Sequence, residues 1–316
     1  ALPEDLVSRP TLVWLLRNGT PGPQRVEASY LTGGITWKAD YVMILGAGED
    51  RADVTGWVTI DNRSGGTYRD AALKLVAGDV HRARDERVRM ALVSAAKAAP
   101  AAAGGRDFAE EGFFEYHLYT LDGRTTLKDN QTKQLTLLAA AGVPVRKELA
   151  FLGAREYYRT QYGTPVSNQK VSVFVELPNA KGSALGVPLP RGRVRVYKAD
   201  RSGSQQLVGE DWIDHTPVDE RVRIRMGEAF DVVGERVQRD WRRLGGSTYE
   251  VEWEIALRNH KKEDVEVSVI EPVPGDWEVL RETQPHEKLE AHTLRYRVPV
   301  PREGAARLTY RVRVRF

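Results

Sequence analysis

Arginine at alternate positions is the pattern in this chain best able to do chemistry. Arg191, Arg193 and Arg195 stand two apart, as do Arg221, Arg223 and Arg225, and again Arg311, Arg313 and Arg315. In an extended strand that spacing puts all three guanidinium groups on one face. A planar guanidinium grips a carboxylate or phosphate through two parallel hydrogen bonds, so adjacent strands of this kind would form a grid for an anionic partner. Anionic lipid headgroups, lipopolysaccharide and acidic protein surfaces all fit that chemistry. The same arginines also solvate an outer face and blunt an exposed edge, and Arg is much commoner than Lys throughout the chain.

Tryptophan adds a second possibility. Trp14, Trp37, Trp57 and Trp253 sit in apolar strand settings and read as core. Trp212, Trp241 and Trp277 lie among charged residues near turns, where an indole serves as a surface anchor. Trp and Arg together mark interface hot spots, which singles out Asp240-Trp241-Arg242-Arg243. Nucleic acid is excluded as a partner: the formal net charge is only +3, and the basic strands lack interleaved aromatics on which bases would stack.

Catalytic and metal chemistry find little footing. There is no cysteine, so thiolate nucleophiles and Cys-ligated metals are ruled out. The six histidines form no paired zinc motif; His286 and His292, beside Glu287 and Glu290, would lie about 20 Å apart in a strand. Ser94-Ala95-Ala96-Lys97 matches a Ser-x-x-Lys nucleophile motif but lacks its companions, and no nucleophile elbow or phosphate-cradling loop occurs. Asp211, Asp214, Asp219 and Glu220 surround His215-Thr216-Pro217, but a glycosidase needs two carboxylates facing across a cleft, and acidic turns usually face solvent. No catalytic residue, metal site or cofactor is assigned.

The elements that must position these residues are strands. Residues 55–60, 171–177, 193–197, 221–226, 265–270, 294–298 and 310–316 alternate apolar with polar, separated by Gly, Asn and Pro turns. The prediction is an all-β fold of two or three antiparallel β-sandwich modules, immunoglobulin-like, with a short helical or flexible Ala-rich insertion. The expected division is an N-terminal domain 1–165 carrying the insertion 81–107, a middle module 166–247 and an immunoglobulin-like sandwich 248–316. Leu12 to Leu16 and Tyr41 to Leu45 read as buried strands. Trp57 to Asn62 and Trp253 to Asn259 share one outline, a strand ending in Asn before a turn and a second strand, as if two modules followed one plan.

No run approaches the ~18 apolar residues of a membrane-crossing helix. A start at Ala1 and the missing cysteines fit a mature exported chain.

Several motifs together resemble a bacterial family of unknown function whose domain also forms the C-terminal half of mucoidy inhibitor A-type proteins. Tyr30-Leu31-Thr32-Gly33-Gly34-Ile35-Thr36-Trp37-Lys38-Ala39-Asp40-Tyr41 carries the likeness most strongly. It continues through residues 73–80, 114–119, 126–133, 209–211, 214–217, 230–236 and 259–262 to Pro274-Gly275-Asp276-Trp277-Glu278-Val279. The resemblance covers about residues 30–316 and has no counterpart for the N-terminal module and coiled coil of those relatives. It implies an exported, β-rich envelope protein and supplies no catalytic residues.

The reading that follows is a non-catalytic, periplasmic or extracytoplasmic protein. It would act as an accessory subunit bound to protein partners in a membrane-associated complex, or at an anionic lipid or lipopolysaccharide surface. Its candidate contact residues are Arg193, Arg195, Arg221, Arg223, Arg225, Arg311, Arg313, Arg315, Trp241 and Trp277. The alternatives are a glycan- or lipopolysaccharide-binding protein and, further off, an envelope glycan hydrolase.

Overall fold

The computed structural model of the chain describes residues 13, 15–19, 21–78, 108–162 and 166–316, and the predicted insertion 81–107 and Trp14 lie outside them. In chain order the strands are β1 (Ile35–Leu45), β2 (Arg51–Asn62), β3 (Tyr68–Ala71), β4 (Lys74–Ala77), β5 (Phe108–Phe113), β6 (Tyr116–Leu121), β7 (Thr125–Leu127), β8 (Gln131–Pro144), β9 (Arg146–Leu152) and β10 (Val166–Pro178). They continue with β11 (Gly192–Ala199), β12 (Gln205–Ile213), β13 (Arg221–Gly245), β14 (Thr248–Asn259), β15 (Val265–Pro272), β16 (Asp276–Glu282), β17 (His286–Glu290), β18 (Thr293–Val300) and β19 (Gly304–Arg315). The fold is all-β and sandwich-like, as the period-two alternation requires.

Two large sheets dominate. One has five strands in the order β12-β11-β1-β2-β8, and the other has nine in the order β16-β19-β14-β13-β10-β9-β15-β18-β17. The small sheets β3-β7 and β4-β6-β5 complete the architecture. In the five-stranded sheet β1 pairs antiparallel with β2 and parallel with β11. Tyr41 explains two glycines there: a Cβ on Gly56 or on Gly192 would stand within 3 Å of its ring. Glycine on both neighbouring strands lets that large ring lie flat in the core.

Each large sheet helps enclose its own core. Ala39, Tyr41 and Met43 of β1 pack with Val58 and Ile60 of β2, Val194 and Val196 of β11, and Tyr119 of β6. The second core joins Trp253, Ile255 and Leu257 of β14 and Tyr310 and Val312 of β19 to Val267, Val269, Tyr296 and Val298 of β15 and β18. Strands far apart in the nine-stranded order thus share one interior, so this sheet folds over on itself. Its edge strands meet where the Trp277 and His286 rings lie 5.9 Å apart.

The expected boundaries at 165/166 and 247/248 do not separate these cores. β11 and β12 lie in one sheet with β1, β2 and β8, while β9 joins β10 and β15 in the other. β10 and β13 serve both: Val175, Leu177, Val222 and Ile224 pack in the first core, Val171, Ala229 and Val232 in the second. Non-local pairing of this kind leaves no trace in composition. Val13, Leu15 and Leu16, read as part of a buried strand, lie outside any strand and are exposed.

The shared outline of 57–62 and 253–259 has a matching structural counterpart. Asn62 closes β2 and Asn259 closes β14, both buried. Asn62 Nδ2 donates to the carbonyls of Gly66, Leu127 and Lys128, and its Oδ1 accepts from Ser64 N. Asn259 Nδ2 donates to Glu263, Val300 and Pro301, and its Oδ1 accepts from Lys261 N. In each module one amide closes an Asx turn and ties it to a distant strand end.

Candidate functional site

The structure disperses the arginine faces instead of merging them. β11 belongs to the five-stranded sheet, and β13 and β19 stand on opposite sides of β14 in the other. Most of these arginines are already engaged. Arg311 donates to Asp240, Glu250 and Glu252, and Arg313 to Glu250. Arg223 pairs with Glu148 and Glu176, and Arg225 with Glu228. The partner carboxylates respond: Glu252 stays below its ordinary pKa because the Arg311 and Arg281 hydrogen bonds outweigh the opposing effect of burial. Arg221 and Arg315 have no carboxylate partner among the described residues. The periodic Glu of β14 that neutralises β19 is visible in sequence, but only register shows that the two strands are neighbours.

The two indoles chosen as anchors turn inward. Trp241 packs half-buried on Tyr249 at 5.6 Å, and Trp277 is fixed by its Nε1 donating to the Ala291 carbonyl at 2.9 Å. Both line the second core. Trp253 is fully buried as expected, whereas Trp57 lies on the outer face of β2, one position out of phase with buried Val58. Trp212 is the exposed indole of the group, at 62 %.

Around His215 the carboxylates hold backbone. Asp211 accepts from Trp212 N and Arg225 N, and Asp219 accepts from Lys181 N. Asp129, in the polar run 128–133, accepts from Gly65 N, and Lys128 N donates to Gln131 Oε1, so that run is a hydrogen-bonded turn into β8. Among the described residues no cluster of His, Asp and Glu could hold a metal ion, and no helix is long and apolar enough to cross a membrane.

Two surfaces stand out. The first is a cleft of about 320 Å³ between the cores, where Leu45, Leu149, Val173, Val175, Val208 and Met226 supply an apolar lining and Glu49, Lys147, Lys198, Glu228, Asp231 and Lys261 the charged groups. Glu49 bonds Lys147 of β9 and Lys198 of β11 at once. The hydrogen bonds from these ammonium groups, Lys147 first, hold its carboxyl down at about 2.

A bulge shapes the mouth of this cleft. The β10–β13 register steps from Ser172–Glu228 to Lys170–Val233, so β13 carries residues with no counterpart on β10. Gly227, at φ +128°, makes the bend, and Phe230 on the bulge is 90 % exposed. Bulges re-aim side chains in this way. Beside it runs β12, an edge strand whose Leu207 and Val208 are also exposed.

The second surface is the outer face of the five-stranded sheet. Trp57 of β2 stands opposite Asp40 of β1, Asp40 opposite Arg193 of β11, and Arg193 opposite Trp212 of β12. The neighbouring row is Thr55, Val42, Arg195 and Glu210. Of the residues proposed from sequence, Arg193, Arg195 and Trp212 are brought together here. Asp40, Trp57 and Glu210 were missed because cross-strand register decides them.

The family motifs fall both within strands, as at 35–41 in β1 and 230–236 in β13, and at turns, as at Asn259 and at Gly275 before β16. No curated protein matches the chain. A family model described as "Domain of unknown function (DUF4139)" matches residues 26–316, and the chain belongs to that family.

Proposed function

We propose that this is a non-catalytic binding protein of the bacterial cell envelope, an accessory subunit that docks a protein partner at the cleft between its two cores. The observation that carries this reading is Phe230, held on the β13 bulge at 90 % exposure at a cleft with an apolar floor and charged rim groups of both signs. Leaving a large aromatic ring in water forgoes about 1.5–3 kcal/mol of burial, which a partner recovers. Leu207 and Val208 extend the same apolar area along an edge strand. An extended segment of the partner adding to that edge, with an apolar side chain in the cleft, is the recognition mode this geometry favours. The likeness to the C-terminal half of mucoidy inhibitor A-type proteins supports the envelope as the setting.

The test is to extract the native chain from its own membranes in mild detergent and identify by mass spectrometry what migrates with it. A defined partner that is lost in Phe230→Asp, with the melting curve unchanged, is the expected result. A chain that migrates alone, or a complex indifferent to Phe230→Asp and Val208→Asp together, overturns the proposal.

A further inference from the structure

We propose that the outer face of the five-stranded sheet is a second binding site, for an extended neutral polysaccharide strand lying across β2, β1, β11 and β12. The site shares no residue with the Phe230 surface and does not depend on that reading.

The register puts Trp57, Asp40, Arg193 and Trp212 on one row, all on the face opposite the core residues Ala39 and Tyr41. Three strand spacings separate the two indoles, about 14 Å, the length of about three pyranose units. Sugars are recognised through two features at once. Their C–H faces pack on aromatic rings, and their hydroxyls exchange hydrogen bonds with planar polar side chains. The row supplies both, with an indole at each end and a carboxylate and a guanidinium between.

The polar groups between the rings keep partial access to solvent, the Arg193 side chain at 29 % exposure and that of Asp40 at 13 %. Arg193 lies 3.9 Å from Asp40 and 3.7 Å from Glu210, beyond hydrogen-bond range. Among the described residues its side chain makes no hydrogen bond within protein geometry. Its guanidinium sits 5.3 Å from the Trp212 ring centroid, which sets the indole plane while Trp212 stays 62 % exposed. Lys38 is 3.2 Å from Asp40, and Arg195 donates to Glu210 at 2.7 Å. Lys38, Arg193 and Arg195 therefore stand against Asp40 and Glu210, nearly cancelling. A face of nearly balanced charge attracts neither a polyanion nor a polycation at long range, which leaves hydrogen bonding and ring packing to select a neutral chain rich in hydroxyls.

The experiment follows tryptophan fluorescence of the full chain during titration with tetramers of β-linked N-acetylglucosamine and of β-linked glucose, with peptidoglycan sacculi in a sedimentation assay. Saturable binding of at least one of the two neutral tetramers is expected, and binding of sacculi alone would overturn the proposal because their peptide stems are charged. Trp212→Ala and Arg193→Gln should each weaken tetramer binding about tenfold, while Phe230→Asp leaves it unchanged. The melting curve of Trp212→Ala should superimpose on that of the parent, and Arg193→Gln provides the second variant if it does not. Failure of all three probes to bind overturns the proposal, as does binding unaffected by both substitutions. A protein partner whose capture is lost in Trp212→Ala but kept in Phe230→Asp and Val208→Asp would also overturn it, because the face would then be a protein interface. Loss of capture in Phe230→Asp alone bears only on the cleft.

Discussion

Arg236 Nη2 donates to Glu271 Oε1 at 2.7 Å, and neither side chain has any exposure. Tyr158 Oη donates to the other carboxylate oxygen at 3.0 Å and lies 3.0 Å from Tyr310 Oη. Among the described residues the Arg236 Nε and Nη1 groups have no hydrogen-bond acceptor. They face rings instead, since the guanidinium lies 5.0 to 5.5 Å from the ring centroids of Tyr157, Phe151 and Trp253. Burial, with Glu271 next, pushes the Tyr158 hydroxyl well above its ordinary pKa. Burial works to lower the Arg236 pKa, but the Glu271 charge and hydrogen bond together with Tyr310 and Tyr158 outweigh it and raise it. The second core therefore closes around an ion pair.

Breaking that pair from one side leaves a charge without compensation. Arg236→Met should cost about 3–5 kcal/mol in urea unfolding, and Arg236→Met with Glu271→Leu should recover most of the loss. Equal destabilisation in the single and double variants would show that the pair does not act as a unit.

Asn62 and Asn259 should behave as equivalents. Asn→Ala at either strips one buried and two part-buried carbonyls of a donor and should cost about 2–3 kcal/mol. Asn→Asp should do no better, because the carboxylate has no N–H to give. Urea midpoints of the four variants check this, and near-neutral values at either position would refute the shared design.

Stability should fall in acid partly through Glu49. Its folded pKa of about 2 lies below the unfolded value, so its contribution is complete above the unfolded carboxylate range and disappears as pH drops through about 2. Glu49→Gln should flatten the dependence of the urea midpoint on pH between about 5 and 2. At pH 7 it should cost less than about 1 kcal/mol, since the pair is partly solvated. An unaltered acid flank would remove Glu49 as the clasp between the modules.

On β19, neighbouring arginines should differ sharply. Arg311→Glu faces Asp240, Glu250 and Glu252 with like charge and should lower the melting temperature by several degrees. Arg315→Glu, without a carboxylate partner among the described residues, should leave it close to that of the parent. Matching melting curves for the two variants would show that the Arg311 network adds nothing.

Strand content was legible because a half-buried strand must alternate, and β2, β11 and β19 do so almost without interruption. The kinship of the Asn62 and Asn259 modules was legible for a similar reason: an Asn ending a strand before a turn is a local feature. Trp241 and Trp277 misled because charged neighbours in sequence do not report what lies across the sheet. Trp57 misled because apolar surroundings do not settle which face a strand residue takes; one step of phase does.

What the sequence by itself determined was local: the all-β class, the most strictly alternating strands, the Asn-closed turns, the absence of thiol chemistry and membership of a family of unknown function. Tertiary structure alone decided which strands lie side by side. Strand pairing joins β1 to β11 and β9 to β15 across long stretches of chain, and its register is set by packing of whole faces. The row from Trp57 to Trp212 and the cleft under Phe230 are made from residues brought together by that pairing, so no spacing along the chain encodes either one.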